Sequence, residues 1–306
     1  MPLFSIILPC FNAGTTITDT LASLSAQSFN DWEAICVDDG STDATPLLIR
    51  KAALNDPRIR LVRNTGKGPS DARNLGALSC ASGDLLAFCD ADDLFVPDKL
   101  KQLYDIFRDP SIDAAFGKIG FFQKEPGDTN VLSTVPTGDL SIDMLLGENP
   151  VCTMSNITVR RGVFERSGGF NPTMVHNEDL DWLIRLVGQG ARVVGVNMLQ
   201  TWYRTSLSGL STDLGAMQAG RVRAIETAAT FGVRPSGRSQ AIHHRYLARR
   251  ALRTAESRTV PLRFALSGIS RSPSGFLLPV RRGVPTLFGA FAALLLPRPL
   301  RQSLFS

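Results

Sequence analysis

The chain has 306 residues, 43% of them hydrophobic and 20% charged, which excludes a disordered or low-complexity polypeptide and is enough apolar material for a sizeable core. The net charge of +5 is uneven: from Thr227 onward there are 13 Arg and one acid, Glu256, so this tail carries +12 and the first 226 residues about −7. Nucleic-acid binding would use those arginines, but no aromatic platform or recognised motif accompanies them, and no stretch reaches the ~18 consecutive apolar residues that span a bilayer.

In chain order, the opening "MPLFSIILPCFNAG" lacks a basic n-region, so "LFSIIL" (3–8) reads as a first strand covered on both faces rather than a signal peptide. "TTITDTLASLSAQ" (15–27) follows, with Ile17, Leu21 and Leu24 at helical spacing. The alternation repeats with "EAICV" (33–37) and "IRLVR" (59–63) as strands, "DATPLLIRKAAL" (43–54) and "SDARNLGALSCA" (70–81) as helices, and "DLLAFC" (84–89) as a further strand. Such a pattern predicts an α/β fold with a Rossmann-like, mostly parallel sheet flanked by helices.

"VPDKLKQLYDIFRD" (96–109) reads as a helix, followed by short strands near 113–122 and 130–135 and a small helix near 139–146. "SNITVRR" (155–161) and "ARVVGVNMLQTWYR" (191–204) return as strands around the helix "EDLDWLIRLVGQG" (178–190). Beyond Leu214 the sequence is helix-forming and Arg-rich. The five cysteines, Cys10, Cys36, Cys80, Cys89 and Cys152, show neither CxxC nor Cys/His spacing; they fit buried free thiols of a reducing compartment, not zinc or a disulfide framework.

In an open parallel sheet, ligands bind beyond the carboxyl ends of the strands. Four strand exits carry polar or charged residues: "PCFN" (9–12), "DDGSTD" (38–43), "GKGPSDARN" (66–74) and "DADD" (90–93). Taken singly, "DDGSTD" also fits a turn with a helix cap, and "GKGPS" a solvent loop without the Walker pattern. "DADD" resists that treatment, because three close carboxylates repel one another unless a cation or donors offset them. Two Asp clusters beside a Gly-rich loop with Lys67 and Arg73 suit a nucleoside diphosphate with Mg²⁺ or Mn²⁺: carboxylates for ribose, base N–H groups and cation, loop amides and Arg73 for phosphate.

These motifs, with "SGGFNP" (167–172) and "NED" (177–179), resemble the family 2 glycosyltransferases over about residues 3 to 205. The resemblance implies the GT-A fold, a nucleotide-sugar donor and inverting transfer to an acceptor hydroxyl. It assigns Pro9, Phe11, Asn12, Asp38, Asp39, Arg73 and Asp90 to the nucleotide, with Phe11 where the family commonly has Tyr. Asp92 is the metal ligand of a DxD-type element and Asp179 the general base, with Glu178 and Trp182 on the acceptor side. Asp93 either assists or caps the following turn. "WYR" (202–204) matches a family strand that ends near the site. Acids in a first helical turn also complement the helix dipole, and Trp182 with Leu186 also fits a buried helical stripe.

By this division residues 1–213 form the GT-A domain, with a nucleotide-binding half (1–110) and an acceptor half (111–213), and 214–306 a helical basic extension. The expected partners are a UDP- or other NDP-sugar and a saccharide or lipid-linked saccharide acceptor, in synthesis of exopolysaccharide, lipopolysaccharide or another cell-envelope glycan. Two rival readings are a nucleotide-sugar-binding scaffold without catalysis, and a nucleotidyltransferase, whose Gly-rich basic first turn "PCFNAGTT" lacks.

The segment "SQAIHHRYLARRALRTAES" (239–257) sets Leu247, Ala248, Ala251, Leu252 and Ala255 on one helical side and Arg245, Arg249, Arg250 and Arg253 on another. "VPTLFGAFAALLL" (284–296) is too short to span a membrane but suits interfacial burial. The expected location is the cytoplasm, with peripheral contact to the inner face of the cytoplasmic membrane through this extension. A helical subdomain completing the acceptor cleft is the alternative.

Overall fold

The computed structural model describes residues 1–174, 176–205, 214–254 and 257–305. They form two compact units, one of Met1–Leu140 with Pro150–Arg223, the other of Ser141–Asn149 with the chain from Ala224 onward. The boundary expected at 213/214 borders residues 206–213, which lie outside the described residues, as does Ala255 of the expected amphipathic helix. Segment 141–149 joins the second unit although its neighbours on both sides belong to the first, which no local sequence pattern announces.

The first unit is built on β1 (Phe4–Cys10), α1 (Ile17–Ser25), β2 (Trp32–Asp38), α2 (Thr45–Asn55), β3 (Ile59–Arg63), α3 (Pro69–Asn74), β4 (Leu85–Phe88), β5 (Leu94–Phe95), α4 (Lys99–Ile106) and β6 (Ala114–Phe122). After the excursion through α5 (Ile142–Gly147) come β7 (Ile157–Arg160), α6 (Arg161–Ser167), α7 (Glu178–Gly188) and β8 (Val193–Arg204). The sheet order is β3-β2-β1-β4-β7-β6-β8-β5. The first four strands are parallel, β7 is antiparallel to both β4 and β6, and β6 and β8 are parallel.

β1 is buried along nearly its whole length because helices cover both faces of the sheet, as its unbroken apolar run requires. On one face Phe4, Ile6 and Leu8 pack with Ile17, Leu21 and Leu24 of α1 and Leu100 and Leu103 of α4. On the other, α3 runs on into a π-helical turn, Leu75–Cys80, where Gly76 lies against β1 and β2. A Cβ at Gly76 would stand 2.5 Å from Cγ2 of Ile7 and 3.2 Å from Cγ2 of Val37. Gly76→Ala gains about 1 kcal/mol of helix propensity, but overpacking two β-branched side chains costs about 1–3 kcal/mol, so the clash prevails. A lowered urea midpoint is the expected result.

Two local expectations change. Residues 130–135 form no strand, only a bridge from Leu132 to Gly120. Cys152 is exposed rather than buried, while Cys10, Cys36 and Cys89 lie in the core.

The second unit contains α5, the end of α8 (Leu214–Thr230), α9 (Gly237–Thr254), α10 (Val260–Arg271), α11 (Pro273–Leu277), α12 (Val280–Leu295) and α13 (Arg298–Phe305). Phe276 is its central side chain, packed with Ala241, Ala265 and Ala290. Arg245, expected on the basic outer side of α9, is only 3% exposed. Its guanidinium donates to the carbonyls of Gly275 (3.3 Å), Phe276 (3.2 Å) and Leu278, and it pairs with Glu148 at 3.6 Å. Glu148 also faces Arg282 at 3.3 Å and Arg249 at 3.8 Å, so the carboxylate that closes α5 offsets charge on the buried Arg245 and on two half-buried arginines.

Candidate active site

The acid cluster stands where β4 leaves the sheet. Cys89 N–H still donates to the Ile7 carbonyl, and Asp93 N–H then closes a turn on the Asp90 carbonyl at 3.1 Å. That turn delivers the chain into β5, which pairs with β8 through Leu94 and Trp202. The strand exit thus places Asp90, Asp92 and Asp93 within one turn.

Asp93 is fully buried. One carboxylate oxygen accepts the Arg204 backbone N–H at 3.1 Å, and the other lies 3.4 Å from Thr153 Oγ1. Thr153 Oγ1 is also 3.1 Å from Asp90 Oδ2, and Asp90 N–H donates to Ser155 Oγ at 2.9 Å. Arg204 closes the far side, its Nε donating to the Asp92 carbonyl and its Nη2 to Asp19. The third acid, whose role the sequence left between assistance and a turn cap, is therefore the buried tie of the turn to β8 and to the 153–155 segment.

Lys99 lies beneath, fully buried, with Nζ 3.1 Å from Thr201 Oγ1 and 3.5 Å from the Phe95 ring centroid. Burial lowers its pKa to about 7, against the pull of Cys89 and Asp93.

Arg73 joins this cluster to a segment more than a hundred residues away. At 6% exposure, its guanidinium donates to Asp90 at 2.7 Å and to Glu178 at 3.1 Å. Glu178 and Asp179 open the first turn of α7, preceded by Asn177 with φ of 60°. Burial, then the neighbouring Asp179, raises Glu178 to about 7 despite Arg73. Burial also raises Asp179, outweighing Arg73. Arg73 thus braces two carboxylates instead of lying free in a loop.

At the other strand exits Asn12, with φ of 48°, accepts the Thr42 N–H at 2.9 Å, and its own N–H donates to Ser41 Oγ. Asp38 accepts the Ser41 N–H at 3.3 Å. Asp39 accepts from Asn64 Nδ2 at 2.6 Å and Gly68 N–H at 2.8 Å, linking the exits of β2 and β3. Phe11 beside them is 61% exposed, an aromatic face open to a planar ring, and Pro9 is half-buried between Leu8 and Cys10 near the end of β1. A recess of about 1070 Å³ along α2 and β3, lined by Arg50, Arg60 and Arg63, shares Asp38 and Ser41 with these residues.

Trp182 requires correction. It is fully buried, with ring centroids 5.0 Å from Phe170, 5.5 Å from Phe164 and 6.0 Å from Phe88, and its Nε1 donates to Ser167 Oγ. It cannot meet an acceptor, because the helical stripe that carries it packs against β4 and α6. Trp182→Ala is expected to cost about 3–5 kcal/mol of stability, read as a lowered unfolding midpoint.

The cluster sets five carboxylates (Asp90, Asp92, Asp93, Glu178, Asp179) against three cations (Arg73, Arg204, Lys99). Among the described residues Asp92 is in no ion pair, and burial, then the Asp90 charge, raises it to about 6. No group of three or more ligating side chains that could hold a metal is found among the described residues. A diphosphate-bound divalent cation needs only one or two protein carboxylates, the phosphates and water supplying the rest, so this donor set fits Mg²⁺ or Mn²⁺ in that mode.

The sequence profile described as Glycosyl transferase family 2 matches residues 5–168. The chain belongs to this family. Its relatives include the E. coli UDP-Glc:alpha-D-GlcNAc-diphosphoundecaprenol beta-1,3-glucosyltransferase WfgD, 30% identical over 215 residues, 69% of this chain and 80% of that one. TarS 1–349 of S. aureus, solved in complex with UDP, superposes with a TM-score of 0.60 at 18% identity over 99% of this chain and 90% of that one. The mannosyltransferase PcManGT of Pyrobaculum calidifontis, solved with GDP-Man and Mn²⁺, gives 0.61 at 21% identity over 99% and 83%. The fold is GT-A, and the glycosyltransferase is nucleotide-sugar dependent.

Sequence reasoning did not single out Thr153, Ser155, Lys99 or Arg204. Only Arg204 left a trace, as the last residue of "WYR" at the end of a strand.

Proposed function

We propose that this glycosyltransferase is inverting and metal-dependent, and moves a sugar from a UDP- or other NDP-sugar to the hydroxyl of a lipid-linked saccharide in cell-envelope glycan synthesis. The observation that carries the reading is the Arg73 bridge from Asp90 to Glu178, since it couples the donor-side acids to the turn that holds Asp179. The lipid-linked acceptor is supported by the substrate in the name of WfgD, and the cytoplasmic setting by five cysteines that are all free thiols.

In this mechanism Asp38 and Asp39 receive N–H donors of the base, Phe11 covers its face, and Pro9 and Asn12 shape the floor. Asp90, fixed by Arg73 and Thr153, meets ribose or a metal-bound water. Asp92 would hold Mg²⁺ or Mn²⁺, which when bound supplies Lewis-acid neutralisation of the departing diphosphate. Asp179 takes the acceptor hydroxyl proton as that oxygen attacks the anomeric carbon. The new C–O bond forms on the face opposite the breaking one, so configuration inverts and the electron pair leaves with the diphosphate. No covalent sugar–enzyme bond is formed.

The base works only when ionised, so the rate falls as pH falls through the Asp179 pKa. Because burial raises that value, the acid limb of kcat/KM is expected above the ordinary Asp range of about 3.9. Nucleotide-sugar hydrolysis or transfer, screened across UDP-, GDP- and dTDP-sugars with and without Mn²⁺, tests the function; no turnover and no thermal shift with any of them would refute it.

A further inference from the structure

The helices α12 and α13 carry several large apolar side chains outward, although Leu287 of α12 packs against the Phe276 core. The inner side of α12 is Gly283, Thr286, Gly289, Ala290 and Ala293, all buried. Its outer side holds the larger groups: Phe288 is 71% exposed, Phe291 49% and Leu295 86%. In α13 the inversion is sharper. Arg301 is 4% exposed and donates to the Ser257 carbonyl at 2.8 Å, whereas Leu300 and Leu304, one turn apart, are 50% and 63% exposed. Helices of a water-soluble unit ordinarily face the other way.

We infer that this face of α12 and α13 docks on an anionic lipid surface. Three observations select that occupant. The stripe of Phe288, Phe291 and Leu295 is flanked by Arg281 and Arg298, both exposed, in a tail of +12 with one acid. Apolar side chains between arginines match a bilayer surface, whose headgroups attract the cations and whose acyl boundary accepts the rings. At 16 residues α12 is about 24 Å long, short of the ~30 Å hydrocarbon core, so it lies along the surface, and no helix of the described residues is long and apolar enough to cross it. A second copy on the same face would bring like charges together, and a soluble acidic partner would match the arginines but not the apolar stripe between them. The surface is independent of which sugar the enzyme transfers.

Sedimentation of the full chain with vesicles tests this. Binding is expected to vesicles of phosphatidylcholine mixed with phosphatidylglycerol, and much less to phosphatidylcholine alone. Phe288→Ser with Leu295→Ser should weaken partitioning by about tenfold per side chain, and Arg281→Ser with Arg298→Ser by about fivefold per charge. Thermal melts matching the wild type would show that the variants fold, and nucleotide-sugar hydrolysis assayed without vesicles reads the transfer reaction separately. The inference is overturned if the full chain does not bind the phosphatidylglycerol vesicles, or if the folded Phe288/Leu295 variant binds them as well as the wild type. It is also overturned if the chain is a dimer in solution that this variant dissociates, which would assign the face to a second copy.

Discussion

Asp179→Asn is expected to lower kcat/KM by about 10²–10⁴-fold, the usual yield of a positioned general base, while nucleotide affinity stays near wild type. The substitution preserves shape and hydrogen-bonding reach and removes only the ability to take a proton. Asp179 lies in the first turn of α7, where the helix N-terminus and Arg73 both favour its ionised form, yet burial dominates and holds its proton affinity up. A base so placed is more basic than an ordinary aspartate, which suits it to receive a proton from a hydroxyl that acidifies as its C–O bond forms. Isothermal titration with UDP alongside turnover separates the two effects. Full activity in the variant would refute the assignment, and Glu178→Gln, which loses the Arg73 pairing but not the base, should be milder.

Asp92→Ala is expected to abolish the Mn²⁺ enhancement of nucleotide binding and to reduce turnover by about 10²-fold or more, as loss of several kcal/mol of charge stabilisation implies. Metal-free nucleotide binding should change little, because Asp38, Asp39 and Phe11 are untouched. The contrast with Asp93 is informative. Asp93→Ala removes a fully buried carboxylate that accepts the Arg204 N–H, so it should cost about 1–3 kcal/mol of folding stability. Titrating nucleotide with and without Mn²⁺ in both folded variants distinguishes metal ligation from scaffolding; an Asp92→Ala enzyme that keeps its Mn²⁺ response would remove the ligand role.

Where hydrophobic period and strand exits coincide, the sequence is enough. The β1 to β4 alternation and the carboxylates at its exits are legible because each follows directly from a local run such as "LLAFCDADD". What escapes is whatever depends on partners distant in sequence. Arg73 reads as a phosphate-binding cation until folding sets it between Asp90 and Glu178. Asp93 cannot be told from Asp92 by composition, because what separates them is Thr153, from the turn before β7, and Arg204, from the end of β8. Trp182 shows the same limit: its helical stripe with Leu186 already favours core packing over sugar stacking, but only Phe88, Phe164 and Phe170 around it remove it from the acceptor side. The arginine tail is misread at Arg245 because helical period alone does not know that Glu148 and three carbonyls lie on that side.

The Glu148 cluster has a bearing on how the chain is made. Ser141–Asn149 is made roughly a hundred residues ahead of Arg245 and Arg249 and 134 residues, counted from Glu148, ahead of Arg282. During elongation the partners of Glu148 are therefore complete only once α12 has been made. A chain ending near Thr230 would carry every proposed catalytic residue but none of the three arginines that pair with Glu148.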